Sequence, residues 1–401
     1  MDALILTECG RRTGWGHIIR CLALWQALTA KGIPTTLVVD GDALAKKRLG
    51  VRPVRFFRWY AQAKKLEPLL SRARIVIVDS YSAPLGFYKK ISQNVAVPVF
   101  LDDYVRIPYS RGIVVNGAVG AEKFGYPRRE KNGYLLGADY ALLRSEFQNI
   151  AAKKVCKDIS DVLVTLGGVD RTALIKQWVS QLSSQFPRWR FHVVFGELPS
   201  GIRPSGHVRL YSQLNAGEMK RLMSRCDVAI CGGGQTTNEL AACGVPMIAI
   251  CLAKNQRLNI RGWQRKGCLM YAGTSEDPRS LERTAFSLRK MTYPVRCRMG
   301  LAGQKTVDGR GARRVADSAS DALFTFRFAA AGDRSLIFKW ANDLEARAVS
   351  FRPDPIGWNE HCAWFRSKLE DPDCFYFIVS YLGKPVSQVR FERVGRIATM
   401  S

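Results

Sequence analysis

The stretch Gly14-Trp15-Gly16-His17-Ile18-Ile19-Arg20-Cys21-Leu22-Ala23-Leu24 decides how the fold is read. An apolar run, Ala3 to Leu6, stands before it and suits a buried strand. A polar, glycine-containing loop follows from Glu8 to Gly16. From His17 to about Lys31, Ile18, Leu22, Trp25 and Leu28 recur at helical spacing, and Gly32 ends the helix. Thr35–Val39 is the next strand, and Ile75–Val78, Val97–Leu101 and Ile113–Val115 continue the series. Strands separated by helices imply a parallel sheet. Ligands gather at the carboxyl ends of such strands, where Asp79, Tyr81, Asp102 and Asp103 fall.

The pattern repeats beyond residue 158, after the basic stretch Lys153 to Lys157. Val162–Leu166 runs into Gly167-Gly168-Val169-Asp170, and Arg190–Phe195 and Val208–Tyr211 follow. Val228–Cys231 runs into Gly232-Gly233-Gly234-Gln235-Thr236-Thr237, then a helix to Cys243 stopped by Gly244, then the strand Pro246–Cys251. The expected fold is α/β: two Rossmann-like lobes, residues 1–150 and 151–322, with a cleft between them. From about Phe326 the character changes. Trp340, Trp358, Trp364, Phe365 and Phe377 crowd the tail, and Asp373–Tyr381 and Pro385–Phe391 read as strands. Residues 326–401 form a third segment of about 75 residues, near the size at which a core becomes marginal.

At 401 residues the chain exceeds one ordinary domain, and 47% apolar content allows sizeable cores. A formal charge of +27 favours acidic partners: nucleotide phosphates, nucleic acid or an anionic membrane surface. The cations are dispersed in short clusters such as Lys46-Lys47-Arg48 and Arg128-Arg129, and no interleaved basic and aromatic signature appears, so no nucleic-acid partner is expected. The eleven cysteines contain no Cys-x-x-Cys pair, and only four histidines are present. Cys226 and Cys231 bracket a strand, and Cys243 and Cys251 sit in apolar runs as reduced core residues. Neither a metal nor a cofactor is expected from these spacings. No signal peptide opens the chain and no apolar run reaches membrane-spanning length, so a cytoplasmic protein without stable membrane insertion is expected.

Two motifs carry candidate chemistry. Gly14 and Gly16 let the backbone turn and approach a ligand closely, and His17 falls at a helix amino end. The unpaired amides there suit phosphate or a polar sugar group, and their positive field disfavours an imidazolium, leaving the neutral ring that a general base requires. A simple cap or phosphate contact is the alternative for His17. In the second lobe, Gly233 and Gly234 expose amides for a pyrophosphate, and Thr236 and Thr237 add hydroxyls. Glu239 either accepts ribose hydroxyls or favours the helix amino end, and the whole run is alternatively a tight structural turn. Asn255 and Gln256 lie past the strand ending at Cys251, with amides suited to sugar or phosphate.

The segment Gly14 to Leu24 resembles the opening motif of the UDP-sugar hydrolases of pseudaminic acid biosynthesis, which release 2,4-diacetamido-2,4,6-trideoxy-β-L-altropyranose from UDP. The resemblance continues in order through Asp79-Ser80-Tyr81, Asp102-Asp103, Val115-Asn116, Tyr140 to Arg144 with Phe147, Gly167-Gly168-x-Asp170, the glycine run to Glu239, and Asn255-Gln256. It covers about residues 3 to 310. It implies the two-lobed GT-B architecture, no metal, and His17 as the base that activates water toward the anomeric carbon with inversion. It implies substrate contacts by Gly14, Gly16, Arg20, Asp79, Tyr81, Asn255 and Gln256, and nucleotide contacts by Gly168, Gly233, Gly234, Thr236, Thr237 and Glu239. Three positions depart from the family. Leu6 and Glu8 stand where it carries Arg and Asp, which bears on the sugar contacts, and Lys254 replaces an acid near the UDP site.

The tail resembles the start of a GNAT-type sugar N-acetyltransferase through Trp340-Ala341-Asn342-Asp343, Arg347, Phe351 and His361-x-x-Trp364-Phe365. Its acetyl-CoA loop is not reached before Ser401, so no acetyl transfer is expected, and the tail reads as a remnant, a docking surface for other sugar-pathway enzymes or a truncation product. Two competitors stand beside the hydrolase: a GT-B glycosyltransferase using a UDP-sugar donor, and a non-catalytic nucleotide-sugar binding protein.

Overall fold

The computed structural model describes residues 2–10, 13–49, 54–127, 130–167, 171–196, 198, 206–350 and 352–401. The chain divides into two compact units, Met1–Ala319 and Ser320–Ser401. The first unit holds two parallel sheets. In the first lobe the strands are β1 (Asp2–Cys9), β2 (Thr35–Gly41), β3 (Val54–Phe56), β4 (Ala73–Asp79), β5 (Val97–Leu101), β6 (Gly112–Asn116) and β7 (Asn132–Leu136), in the order β3-β2-β1-β4-β5-β6-β7. In the second lobe β8 (Asp161–Thr165), β9 (Arg190–Phe195), β10 (Val208–Ser212), β11 (Val228–Gly232), β12 (Met247–Cys251) and β13 (Leu269–Thr274) run in the order β10-β9-β8-β11-β12-β13. Both sheets reverse direction of growth beside their first strand, and that switch point opens a crevice at the strand ends.

The central strands form because they are buried on both faces and are apolar nearly throughout. Every residue of β5, β8, β11 and β12 is buried. Edge strands give a weaker signal. β3, β7 and β13 are partly exposed, and they are found only in the structure. β1 also runs further than the sequence suggests. Thr7, Glu8 and Cys9 pair with Val39, Asp40 and Gly41, so Glu8 is a buried strand residue rather than the start of a loop.

The lobes share an apolar seam. Val119, Ala141, Leu143 and Phe147 pack in one cluster with Ile260 and Trp263 of the second lobe. The closest approach is at Gly262, in the helix Arg257–Arg265. A Cβ there would lie 2.0 Å from the Val119 carbonyl oxygen, which only glycine avoids. The helix Gly311–Asp321 then returns to the first lobe. Arg314 donates to the Asp139 carbonyl at 2.9 Å and Lys31 pairs with Asp317 at 2.5 Å.

The second unit is a four-stranded antiparallel sheet, β14 (Phe324–Phe328), β15 (Cys374–Tyr381), β16 (Lys384–Val394) and β17 (Ile397–Met400), in sequential order. Ile337 and Phe365, from the helices Arg334–Ala341 and Trp358–Glu370, pack with Tyr376 and Ile378 to make its small core. Among the described residues, no helix is long and apolar enough to cross a membrane.

Gly262→Ala is expected to lower the melting temperature, with a cost of about 1–3 kcal/mol from overpacking. Gly86→Ala is the control, since a Cβ there meets nothing within 4 Å. Equal melting temperatures for the two variants would contradict the close approach at the seam.

Candidate active site

Glu8 sets the geometry of the first lobe's strand ends. Its carboxylate accepts from Ser80 Oγ at 2.7 Å and from the Tyr81 amide at 2.8 Å, which fixes the turn leaving β4. Leu6 is core, fully buried in β1. Neither departure from the family pattern therefore leaves a hole in the fold: one residue packs and the other holds the loop that carries Tyr81.

Gly10 and Gly14 close the loop after β1 by exchanging backbone hydrogen bonds at 3.3 and 2.8 Å. Gly14 has φ +78°, where a side chain would be strained. The helix Gly16–Ala30 starts directly after it, with His17 as its second residue and Arg20 one turn on. Both reach Asp79, at the end of β4. The Nδ1 of His17 lies 2.6 Å from Asp79 Oδ1, and Arg20 donates through Nε to Oδ2 and through Nη2 to Oδ1, each at 2.6 Å. Arg20 also donates through Nη1 to Asp103 at 2.6 Å, and Tyr81 OH donates to the same carboxylate. The Tyr81 ring stands edge-on to His17, with centroids 4.6 Å apart.

Asp79 is fully buried. Burial alone would push its carboxyl upward, but the Arg20 guanidinium, seconded by His17, overrides this and holds it well below the usual carboxylate range. An ionised carboxylate only accepts hydrogen bonds, so Nδ1 of His17 is the donor in this contact. Nε2 has no partner among the described residues, and His17 lines the cleft.

In the second lobe the glycine run is held by packing and by one amide side chain. A Cβ on Gly233 would lie 2.4 Å from Ile260, and one on Gly232 would lie 2.6 Å from Leu252. Gln256 Oε1 accepts from the Gly233 amide at 3.1 Å and from the Leu252 amide at 3.0 Å, which ties the ends of β11 and β12 together. Gly234 is different: a Cβ there would meet only Gln256 Nε2 at 3.6 Å, so its surroundings are open. Glu239 is buried and its Oε1 accepts from Arg144 Nη2 at 2.8 Å. Burial raises the Glu239 carboxyl and Arg144 opposes the rise.

The two lobes enclose a cleft of about 310 Å³, within the range of small-molecule sites. It brings together Gly14, Gly16, His17, Arg20 and Tyr81 from the first lobe with Gly233, Gly234, Thr236, Glu239, Asn255 and Gln256 from the second. The lobes touch across it where Asn255 Nδ2 donates to Tyr81 OH at 3.1 Å. Three sequence-derived residues stand apart. Asp79 lies beneath the cleft and reaches it through His17 and Arg20. Thr237 is buried, and its hydroxyl is spent inside the lobe: it donates to the Gly234 carbonyl at 2.7 Å and accepts from Asn259 and Trp263 at 3.0 Å each. Direct nucleotide contact by that hydroxyl is corrected to support of the glycine turn. Gly168, with Asp170, lies outside the described residues; its neighbour Gly167 lines the cleft. Lys254 is exposed and does not line the cleft, so the replaced acid changes the surface beside it. The sequence put Asp103 at the ligand edge without a specific contact and did not single out Arg171 or Asn259; all three line the cleft. Asp103 followed a strand and Arg171 adjoined the Gly167 motif, and those positions were the available signals.

No protein-family model matches the chain. It is 22% identical over 395 residues to an uncharacterized protein of Methanocaldococcus jannaschii, covering 92% of this chain and 78% of that one. It is 26% identical over 340 residues to the spore coat polysaccharide biosynthesis protein SpsG of Bacillus subtilis, covering 79% of this chain and 96% of that one. It is 24% identical over 272 residues to a Helicobacter pylori protein named pseudaminic acid cytidylyltransferase and UDP-2,4-diacetamido-2,4,6-trideoxy-beta-L-altropyranose hydrolase, covering 67% of this chain and 47% of that one. Among solved structures, MurG of Acinetobacter baumannii superposes with a TM-score of 0.58 at 11% identity, covering 80% of this chain and 100% of that one. The S. aureus MnaA–UDP co-structure superposes with a TM-score of 0.58 at 14% identity, covering 80% and 97%. The fold is GT-B, two Rossmann-like lobes as the strand pattern implied and the GT-B arrangement as the resemblance implied.

Asp79→Asn is expected to cost about 3 kcal/mol, the lower end for a broken buried pair, because Arg20 keeps Asp103 as a partner. The sign of the pH dependence follows from a depressed carboxyl. Asp79 stabilises the fold fully above its ordinary value of 3.8, and that contribution is lost only as the pH falls from there toward the depressed value. Urea unfolding of wild type and variant should show a constant gap from neutral pH down to about 4, closing below it. A gap that closes between pH 7 and 5 would contradict the assignment.

Proposed function

We propose that the chain hydrolyses a UDP-linked 2,4-diacetamido-2,4,6-trideoxy sugar to UDP and free sugar, in the making of a pseudaminic-type nonulosonic acid. The observation that carries this reading is the His17–Asp79 pair at the base of the cleft, with Nδ1 engaged and Nε2 without a partner among the described residues. The name of the Helicobacter pylori relative and the order of the shared motifs supply the substrate class.

The chemistry needs one proton acceptor and a place for the leaving group. Water, held between His17 Nε2 and the anomeric carbon, gives its proton to Nε2 as its oxygen bonds to that carbon. The bond from the anomeric carbon to the phosphate oxygen breaks, its electron pair leaves with UDP, and configuration inverts. Asp79 accepts from the imidazolium that forms and stabilises it without taking the proton, as the carboxylate of a Ser-His-Asp triad does. The first lobe, residues 1–150, supplies the base and places Tyr81 toward the sugar, and Asn255 of the second lobe meets Tyr81 across the cleft. The second, residues 151–322, holds the nucleotide. The Gly233 amide is already spent on Gln256, so Gly234 and Thr236 face the phosphates. Glu239 keeps Oε2, which has no partner among the described residues, for the ribose hydroxyls.

The fold is shared with glycosyltransferases, so transfer to an acceptor is the competing chemistry. Incubation with the UDP-sugar alone separates the two: the hydrolase releases UDP and free sugar without an acceptor. In H₂¹⁸O the label is expected in the sugar, at the anomeric oxygen, and none in UDP. His17→Ala is expected to lower kcat by about 10²–10⁴-fold while UDP affinity changes by less than about twofold. Label in UDP, or unaltered turnover in the variant, would overturn the mechanism.

A further inference from the structure

The cleft is short of free positive charge. Among its described lining residues, Arg20 and Arg171 are the cations. Arg20 is committed to Asp79 and Asp103, with three bonds at 2.6 Å. Arg171 is not. Among the described residues its side chain donates from Nη2 to the Leu252 carbonyl at 3.0 Å, and its charge acts through space on the exposed Glu276. A guanidinium carries five N–H donors in a planar fork, so most of Arg171's donors remain for a ligand.

The anchor also sets its position. Leu252 follows β12, and its amide donates to Gln256 Oε1, which also receives the Gly233 amide. Arg171, Leu252, Gln256 and Gly233 are thus one hydrogen-bonded frame at the ends of β11 and β12, and all four line the cleft. The fork is held beside the glycine run by a bond to the backbone, so it does not depend on a mobile side-chain partner.

We propose that Arg171 binds the diphosphate of the nucleotide and stabilises it as the leaving group. This rests on the nucleotide-sugar reading above. The bound diphosphate ester carries two negative charges and gains a third as the bond to the anomeric carbon breaks. A bidentate guanidinium contact strengthens as that charge grows, so Arg171 acts on the bond-breaking step as well as on affinity. His17 handles the proton at the other end of the same displacement.

The test uses the full chain and two probes, UDP and uridine, with affinities read by calorimetry and ligand-observed NMR. Arg171→Gln is expected to weaken UDP about 10–100-fold and to leave uridine within about twofold, because only the diphosphate contact is lost. Arg171→Lys should recover part of the UDP affinity, as a point charge without the fork. With the UDP-sugar, kcat of Arg171→Gln should fall about 10²-fold beyond any change in KM. Unchanged UDP affinity, or equal loss for UDP and uridine, would overturn this role while leaving the hydrolase reading intact. Failure of the wild-type chain to bind UDP would overturn both.

Discussion

The buried carboxylate of Asp79 is the constraint on which the first lobe's site depends. It lies at the end of a central strand with no exposure to water, and it is tolerable there only because Arg20 and His17 donate to it. Breaking such a pair leaves one charge unmatched, which is why both donors come from one turn of a single helix. That helix begins where the Gly10–Gly14 loop delivers it, and the loop exists because β1 ends beside β4. Strand order, loop and helix thus converge on one oxygen pair. What emerges is an imidazole with a defined tautomer facing a cleft.

The second lobe meets a different constraint. Its glycines are demanded by close packing against Ile260 and Leu252, and Gln256 spends its carbonyl oxygen on two backbone amides. A stiff frame results, on which the open positions Gly234, Thr236 and Arg171 are presented. The lobes meet at a tyrosine–asparagine contact and an apolar seam, so a ligand in the cleft touches residues distant in sequence but fixed by two rigid sheets.

Much of this was legible in the sequence because parallel strands buried on both faces are apolar runs, and because strand ends mark ligand edges. β5 and β9 fall where the apolar runs place them, and Tyr81 and His17 share the cleft. The misses have physical causes. β3, β7 and β13 include sheet edges with partly exposed residues, which blunts the pattern. Thr237 looked like a ligand hydroxyl because a sequence does not show which face of a short helix points inward, and its hydroxyl turns to Gly234 instead. Asp103 and Arg171 took their places through contacts 83 and 81 residues away, which no local motif encodes. Glu8, apparently a lost sugar contact, proved to be the brace of the Tyr81 turn.

Everything proposed for the site turns on Asp79 holding His17 through Nδ1 and leaving Nε2 for the water. Long-range ¹H–¹⁵N correlation of the imidazoles reads this directly. With four histidines in the chain, His17→Gln identifies the resonance. At neutral pH a protonated, hydrogen-bonded Nδ1 and a bare Nε2 are expected for His17. A proton on Nε2 with a bare Nδ1 would contradict it.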